Sequence, residues 1–220
     1  MAILNPGPED HHIHSINFSD GFNTIDEIVQ YAGRLGLKRI AITDHSQASL
    51  NYYGIPKKTF RQIVHRWRNV HNDVAVAFGV EGDILNADGD VCVDIDGFES
   101  EFVILSVHPN IYTDVKRITE AYVNAIQRHH KNIHLIGHPC LKQFSENLDI
   151  SRVVEAANEF NIPLEFDCSN FVREITDLNN LHFVLKEAKL VMVNSDAHTL
   201  YCMNNRQVGL KYLREQGFLE

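Results

Sequence analysis

Short, β-branched apolar runs alternate with longer amphipathic segments along almost the whole chain, a rhythm that suits a parallel α/β architecture and few others. The runs Arg39 to Thr43, Ala75 to Val80, Phe102 to Val107, His134 to Gly137, Pro163 to Phe166 and Leu190 to Val193 predict buried strands. Between them Thr24 to Leu35, Lys57 to Asn72, Asp114 to His130, Ser151 to Phe160, Asp177 to Glu187 and Asn204 to Gln216 predict helices, several opened by a Thr, Asp, Ser or Asn able to cap the first turn. With 220 residues, 44% of them hydrophobic, the chain suits one α/β domain better than two. One interruption breaks the rhythm. Asn86-Ala87-Asp88-Gly89-Asp90 supplies turn chemistry between Ile84-Leu85 and Val91-Cys92-Val93, which predicts a hairpin. Its acidic residues lack the first ligand position of a calcium loop.

Polar residues able to bind metal sit where these strands end. His45 follows Ile40 to Thr43, Glu81 follows Val74 to Val80, and His108 follows Phe102 to Val107. His138 follows Leu135 to Gly137, and Asp196 with His198 follows Leu190 to Asn194. In parallel α/β folds the carboxyl ends of strands converge on one mouth, so these side chains are expected to meet. His12 and His14 are two apart, leave the same face of a strand, and can reach one ion; Asp196 and His198 repeat that spacing. Asp10 and Asp44 stand beside ligands, where they could hydrogen-bond a ligand imidazole or simply cap a strand end. His11, His65, His71, His129, His130, His134 and His182 fall in helices, at their ends or out of phase, and read as solvated side chains.

Composition narrows the chemistry. A formal charge of −9 with scattered Lys and Arg argues against a grip on long nucleic acid, and a small anionic substrate would need cations to draw it in. Cys92, Cys140, Cys168 and Cys202 form no C-x-x-C pair, and reduced thiols in a cytoplasmic protein are expected. Cys140 and Cys168 lie near the mouth without a base beside them and read as buried spacers. Met1 to Glu9 shows no basic start or apolar stretch, and Val74 to Val80 is too short to span a bilayer, so no membrane role is expected. Neither a Walker loop nor a nucleophile elbow nor an H-E-x-x-H helix is present in the sequence.

The segments Asp10-His11-His12-Ile13-His14-Ser15, Ser19-Asp20-Gly21, Ile42-Thr43-Asp44-His45, Gly79-Val80-Glu81, Val107-His108, Gly137-His138-Pro139 and Ser195-Asp196-Ala197-His198 resemble, in order, the signatures of the polymerase and histidinol phosphatase (PHP) superfamily. Glu81-Gly82-Asp83-Ile84 and Leu164-Glu165-Phe166-Asp167-Cys168-Ser169-Asn170 are similar to its stand-alone phosphatase branch. The resemblance implies a distorted (β/α)7 TIM-like barrel, with residues 1–220 as a single domain. It implies two to three divalent ions, zinc, manganese or iron. His12, His14, Glu81 and Asp196 would hold one, Glu81 would bridge to a second held by His108 and His138, and Asp20, His45 and His198 would hold a third. Asp20 departs from some relatives, which carry His there.

The implied reaction is hydrolysis of a small phosphomonoester, histidinol phosphate or a nucleoside monophosphate, by a metal-bound hydroxide held at Glu81 and Asp196. The expected partner is thus a small phosphorylated metabolite. Arg173 could grip its phosphate, or pair with solvent or Glu174 in a first helical turn. The rival readings are a nuclease or cyclic phosphodiester hydrolase using the same ions, and a noncatalytic metal-binding scaffold.

Overall fold

Buried strands linked by amphipathic helices can hide their apolar faces only by wrapping the helices around a sheet, and the chain does this. The structure is a computed structural model that describes residues 1–55, 60–98 and 100–220. In chain order the elements are β1 (Ala2–Ile3), β2 (Glu9–Asp10), α1 (Ile25–Arg34), β3 (Arg39–His45), α2 (Gln47–Tyr53), α3 (Phe60–Arg66), β4 (Ala75–Ile84), β5 (Val91–Cys92), β6 (Phe102–Ser106), α4 (Ile118–His129), β7 (Leu135–Ile136), α5 (Ile150–Phe160), β8 (Leu164–Asp167), α6 (Cys168–Val172), α7 (Leu178–Glu187), β9 (Leu190–Asn194) and α8 (Asn205–Glu215).

Eight strands follow one another in the order β1-β9-β8-β7-β6-β4-β3-β2, every neighbouring pair parallel. Beyond β2 the two edges meet. Ile13 bridges Ala197 in parallel, the His14 amide donates to the Ala197 carbonyl at 2.9 Å, and the Thr43 amide donates to the Ile13 carbonyl at 2.8 Å. Strands β2, β3, β4, β6, β7, β8 and β9 thus curl into the distorted seven-stranded barrel that the sequence predicts, while β1 lies along the start of β9. The distortion is local: β5 folds back antiparallel on β4 where a helix would otherwise cross, pairing Asp83 with Cys92 and Ile84 with Val91. Asn86 makes that hairpin by accepting the amides of Asp88 and Asp90, and Gly89 takes φ +82°, a conformation natural to glycine.

Side chains alternate between the two faces of each strand. Ile40, Ile42, Val80, Val103, Leu105, Leu164, Phe166, Val191 and Val193 point outward into the main core against the helices. Ile104, Leu135 and Met192, with Phe102, form a separate plug inside the barrel. Above that plug the inward positions turn polar, through His45, Glu81, Asp83, Glu165, Asp167 and Asn194, all of them buried. Strands that look uniformly apolar in sequence therefore carry their functional groups on one face near one end.

Helix starts follow the expected capping chemistry. Thr24 and Glu27 form a reciprocal capping box, and Asp149 and Asp177 cap α5 and α7. The single helix expected from Lys57 to Asn72 is corrected in its described part: α3 ends at Arg66, because Asn69 accepts the amides of His71 and Asn72 and folds the chain into a turn. Its first residues, with 56–59, lie outside the described residues. Helix α2, which the sequence reading did not anticipate, starts at the capping Ser46 and stops at Gly54, φ +65°.

Candidate metal centre

Glu81 leads the cluster at the barrel's mouth. It sits in the middle of β4 with 1% exposure, pointing inward, and five imidazoles surround its carboxylate. His138 Nε2 lies 2.7 Å from Oε1, and His108 Nε2 lies 3.2 Å from the same oxygen. His45 Nδ1 is 3.2 Å from Oε2, His14 Nε2 is 3.5 Å from Oε2, and His12 Nε2 is 3.5 Å from Oε1. Asp196, two residues past the end of β9, faces the same pair, 3.1 Å from His14 Nε2 and 3.5 Å from His12 Nε2. Asp20 closes the outer side, its Oδ1 3.1 Å from both His45 Nε2 and His198 Nε2. All nine residues read from sequence as ligands come together.

The donor atoms fall into three overlapping groups able to hold cations: His12, His14 and Glu81; His45, Glu81 and His108; and His14, His45 and His198. The first holds three of the four residues expected for one ion, without Asp196. In the second, His45 comes as near to Glu81 as His108 does, so the boundary between second and third sets is shared at His45. Mixed imidazole and carboxylate donors of this kind suit zinc, manganese or iron. A further observation fits a cation: Nε2 of His12 and of His14 are buried and have no hydrogen-bond partner, whereas their Nδ1 atoms do. A buried polar nitrogen left unpaired is costly unless something binds it.

The electrostatics are those of a site built for positive charge. Burial would raise the Glu81 carboxyl, but His108 and His12 hold it well below the usual range. Burial disfavours the charged form of His12, His45 and His108, and the neighbouring carboxylates nevertheless raise all three. His198, half-buried and paired with Asp196 and Asp20, is raised to about 9. His14 is the exception: burial, then His198 and His45 beside it, lower it to about 3.

Of the two readings given for Asp10 and Asp44, strand-end capping is the one the structure shows, and neither touches a ligand imidazole. Asp10 accepts the backbone amides of Ser195 and His12, and Asp44 accepts the Ser15 amide and hydroxyl, from the outward face of β3. Both tie the strand ends together. The imidazoles are held by Glu165 on His12 Nδ1 at 2.9 Å, Asp83 on His108 Nδ1 at 2.6 Å and Ser19 on His14 Nδ1 at 2.9 Å. The signal was present: Asp83 is two residues past Glu81 and so shares its face, and Glu165 is a carboxylate inside an apolar run. His11, read as solvated, is instead buried and stacked on Phe102, whose other neighbour is His134.

Tyr53, Leu141 and Asn170 complete the walls of a mouth cavity of about 180 Å³, together with Asp20, His45, Glu81, His108, His138, Asp196 and His198. Among the described residues no Lys or Arg lines it. The structure does not bring Arg173 into this set: it is exposed at the end of α6, where its amide caps the helix. Cys140 and Cys168 are buried free thiols, and burial raises both well above the usual thiol range, which disfavours the reactive thiolate.

The chain can now be set beside known proteins. It is 26% identical over 214 residues to "Probable phosphatase YcdX" of Shigella flexneri serotype 5b (strain 8401), covering 94% of this chain and 84% of that protein. The Escherichia coli protein of the same name is 26% identical over 212 residues with the same coverage. The crystal structure of histidinol phosphate phosphatase from Lactococcus lactis subsp. lactis Il1403, complexed with zinc, L-histidinol and phosphate, superposes over 96% of this chain and 94% of its own with a TM-score of 0.57 and 16% identity, a likeness of fold. The profile of the PHP domain matches residues 10–149, and the chain belongs to the PHP domain family.

Proposed function

We propose that this protein is a metal-dependent phosphatase that hydrolyses a small phosphomonoester at a centre of two to three divalent cations. The observation that supports it most is the convergence of five imidazoles on the Glu81 carboxylate, with Asp196 and Asp20 flanking them. Both curated relatives carry the name of a phosphatase.

His12, His14, Glu81 and Asp196 would hold one ion, Glu81, His108 and His138 a second, and Asp20, His45 and His198 a third. Bound divalent ions supply an acidified water near neutral pH and neutralise phosphoryl oxygens. With ions bound, Glu81 and Asp196 would orient the attacking water, and the half-buried Leu141 with the strand ends would limit bulk water. No Lys or Arg lines the mouth among the described residues, and bound cations would attract the substrate's phosphate. A cavity of about 180 Å³ admits one phosphoryl group and a compact organic part. Histidinol phosphate, on which the lactococcal enzyme's name rests, and nucleoside monophosphates are the first substrates to try.

The phosphodiester reading is weaker. The net charge is −9, and no Lys or Arg among the described lining residues is placed to hold a second phosphate. Metal-stripped protein reloaded with manganese, zinc or iron decides between them. Faster cleavage of p-nitrophenyl phosphate than of its bis ester is expected. The opposite preference selects the diesterase, and cleavage of neither, nor of any phosphorylated metabolite, overturns the enzyme reading in favour of a metal-binding scaffold.

A further inference from the structure

We propose that Glu165 couples two of the cation sites: one carboxylate fixes the imidazole of His12 for the first ion and the backbone of His138 for the second, so the two sites gain or lose affinity together. The proposal rests on the reading of His12 and His138 as ligands.

The Glu165 side chain is fully buried on β8. Three donors converge on its two oxygens: His12 Nδ1 at 2.9 Å and Asn194 Nδ2 at 2.9 Å on Oε1, and the His138 amide at 2.9 Å on Oε2. Each donor carries a consequence. With Nδ1–H given to Glu165, the neutral His12 ring presents the lone pair of Nε2, a buried nitrogen that makes no hydrogen bond. His138 has φ +28°, a backbone region that residues other than glycine rarely enter, and it is followed by a proline. Its amide is anchored there by Glu165 while its ring reaches Glu81 Oε1 at 2.7 Å. The third donor is itself fixed. Asn194 Oδ1 accepts from Asn5 Nδ2 and the His11 amide, so its NH2 group must face Glu165.

Of the other orienting groups, Asp83 serves one ligand, accepting from His108 and from the hydroxyls of Ser46 and Ser49. Ser19 Oγ meets His14 Nδ1 and donates to Asp20 Oδ1 at 3.2 Å. Of the two orienting carboxylates, only Glu165 touches ligands assigned to two ions. A glutamine at this position has one acceptor oxygen and an NH2 group, so it cannot receive three donors, and at least one of His12, His138 and Asn194 loses its partner.

The test is cobalt titration of the full-length apoprotein, read by absorbance and by metal content after dialysis, for the wild type, Glu165→Gln and Asp83→Asn. Losing a group that orients a ligand typically costs about 10–100-fold in metal affinity. Glu165→Gln should therefore weaken two equivalents together, by about that factor, and Asp83→Asn only one. If Glu165→Gln weakens a single equivalent or none, coupling through Glu165 is wrong. A wild type that takes up no cobalt overturns the ligand assignment itself, and the proposal with it. Should Glu165→Gln fail to fold by circular dichroism, nitrogen-15 histidine spectra of the zinc-loaded wild type decide: His12 protonated on Nδ1 with a downfield proton supports the proposal, and His12 protonated on Nε2 overturns it.

Discussion

Loading the centre with a divalent cation should expel protons, and the number follows from which imidazoles hold one beforehand. A ligand imidazole must offer a lone pair, so every ligand histidine charged in the metal-free protein gives up a proton on binding. His12, His45, His108 and His198 face carboxylates that hold their pKa values above that of free histidine, and His198 reaches about 9. A group titrating at about 9 is roughly 99% protonated two units lower. His14, lowered to about 3, is already neutral and contributes none. Saturation at pH 7 should thus release about one proton from His198 alone and up to about four in all, and apparent affinity should rise about tenfold per pH unit for each proton displaced. Isothermal titration calorimetry at pH 7 in two buffers of different ionisation enthalpy counts these protons directly. Heats that are the same in both buffers, with an affinity flat from pH 6 to 8, would refute the reasoning. The same charge has a stability signature in the metal-free protein. Because the folded His198 value of about 9 lies above the ordinary 6.5, its contribution is fully present below 6.5 and is lost as pH rises through about 9. Tm of the metal-free protein should therefore fall across that window.

Two kinds of substitution separate the site from the scaffold. His14→Ala or Asp196→Ala should lower phosphomonoesterase kcat by at least about 100-fold while leaving the circular dichroism spectrum intact, since both are proposed as ligands and neither belongs to the apolar core; undiminished turnover in either would remove it from the ligand set. Ile104→Ala, inside the barrel plug at 0% exposure, should do the reverse. It should cost about 2–5 kcal/mol, or roughly 5–20 °C in Tm, with metal stoichiometry unchanged, and an unaltered melting curve would mean that the plug does not hold the barrel.

Much of this was legible in the residues because strand ends and ligands are local signals. His45, Glu81, His108, His138 and Asp196 each sit at or just past a recognisable apolar run, and the Asn86 to Asp90 turn announced its hairpin. What did not read out depends on facing and on weak local preference. Asp44 neighbours His45, yet the period of two along β3 turns it outward to Ser15, so adjacency misled where alternation would have served. Glu165 looked like one polar residue in a buried strand, and its three donors come from residues 12, 138 and 194, which no local pattern connects. Helix α2 is built from Gln47-Ala48-Ser49-Leu50-Asn51-Tyr52-Tyr53, mostly indifferent helix formers, and only Ser46 and Gly54 marked its ends.

Anomalous diffraction from crystals grown with zinc or manganese addresses the centre itself. The account predicts two to three peaks clustered at the mouth, each within bonding distance of its own set: His12, His14, Glu81 and Asp196; Glu81, His108 and His138; Asp20, His45 and His198. Fully loaded crystals with no peak at Glu81, or with ions bound only elsewhere on the surface, would contradict it.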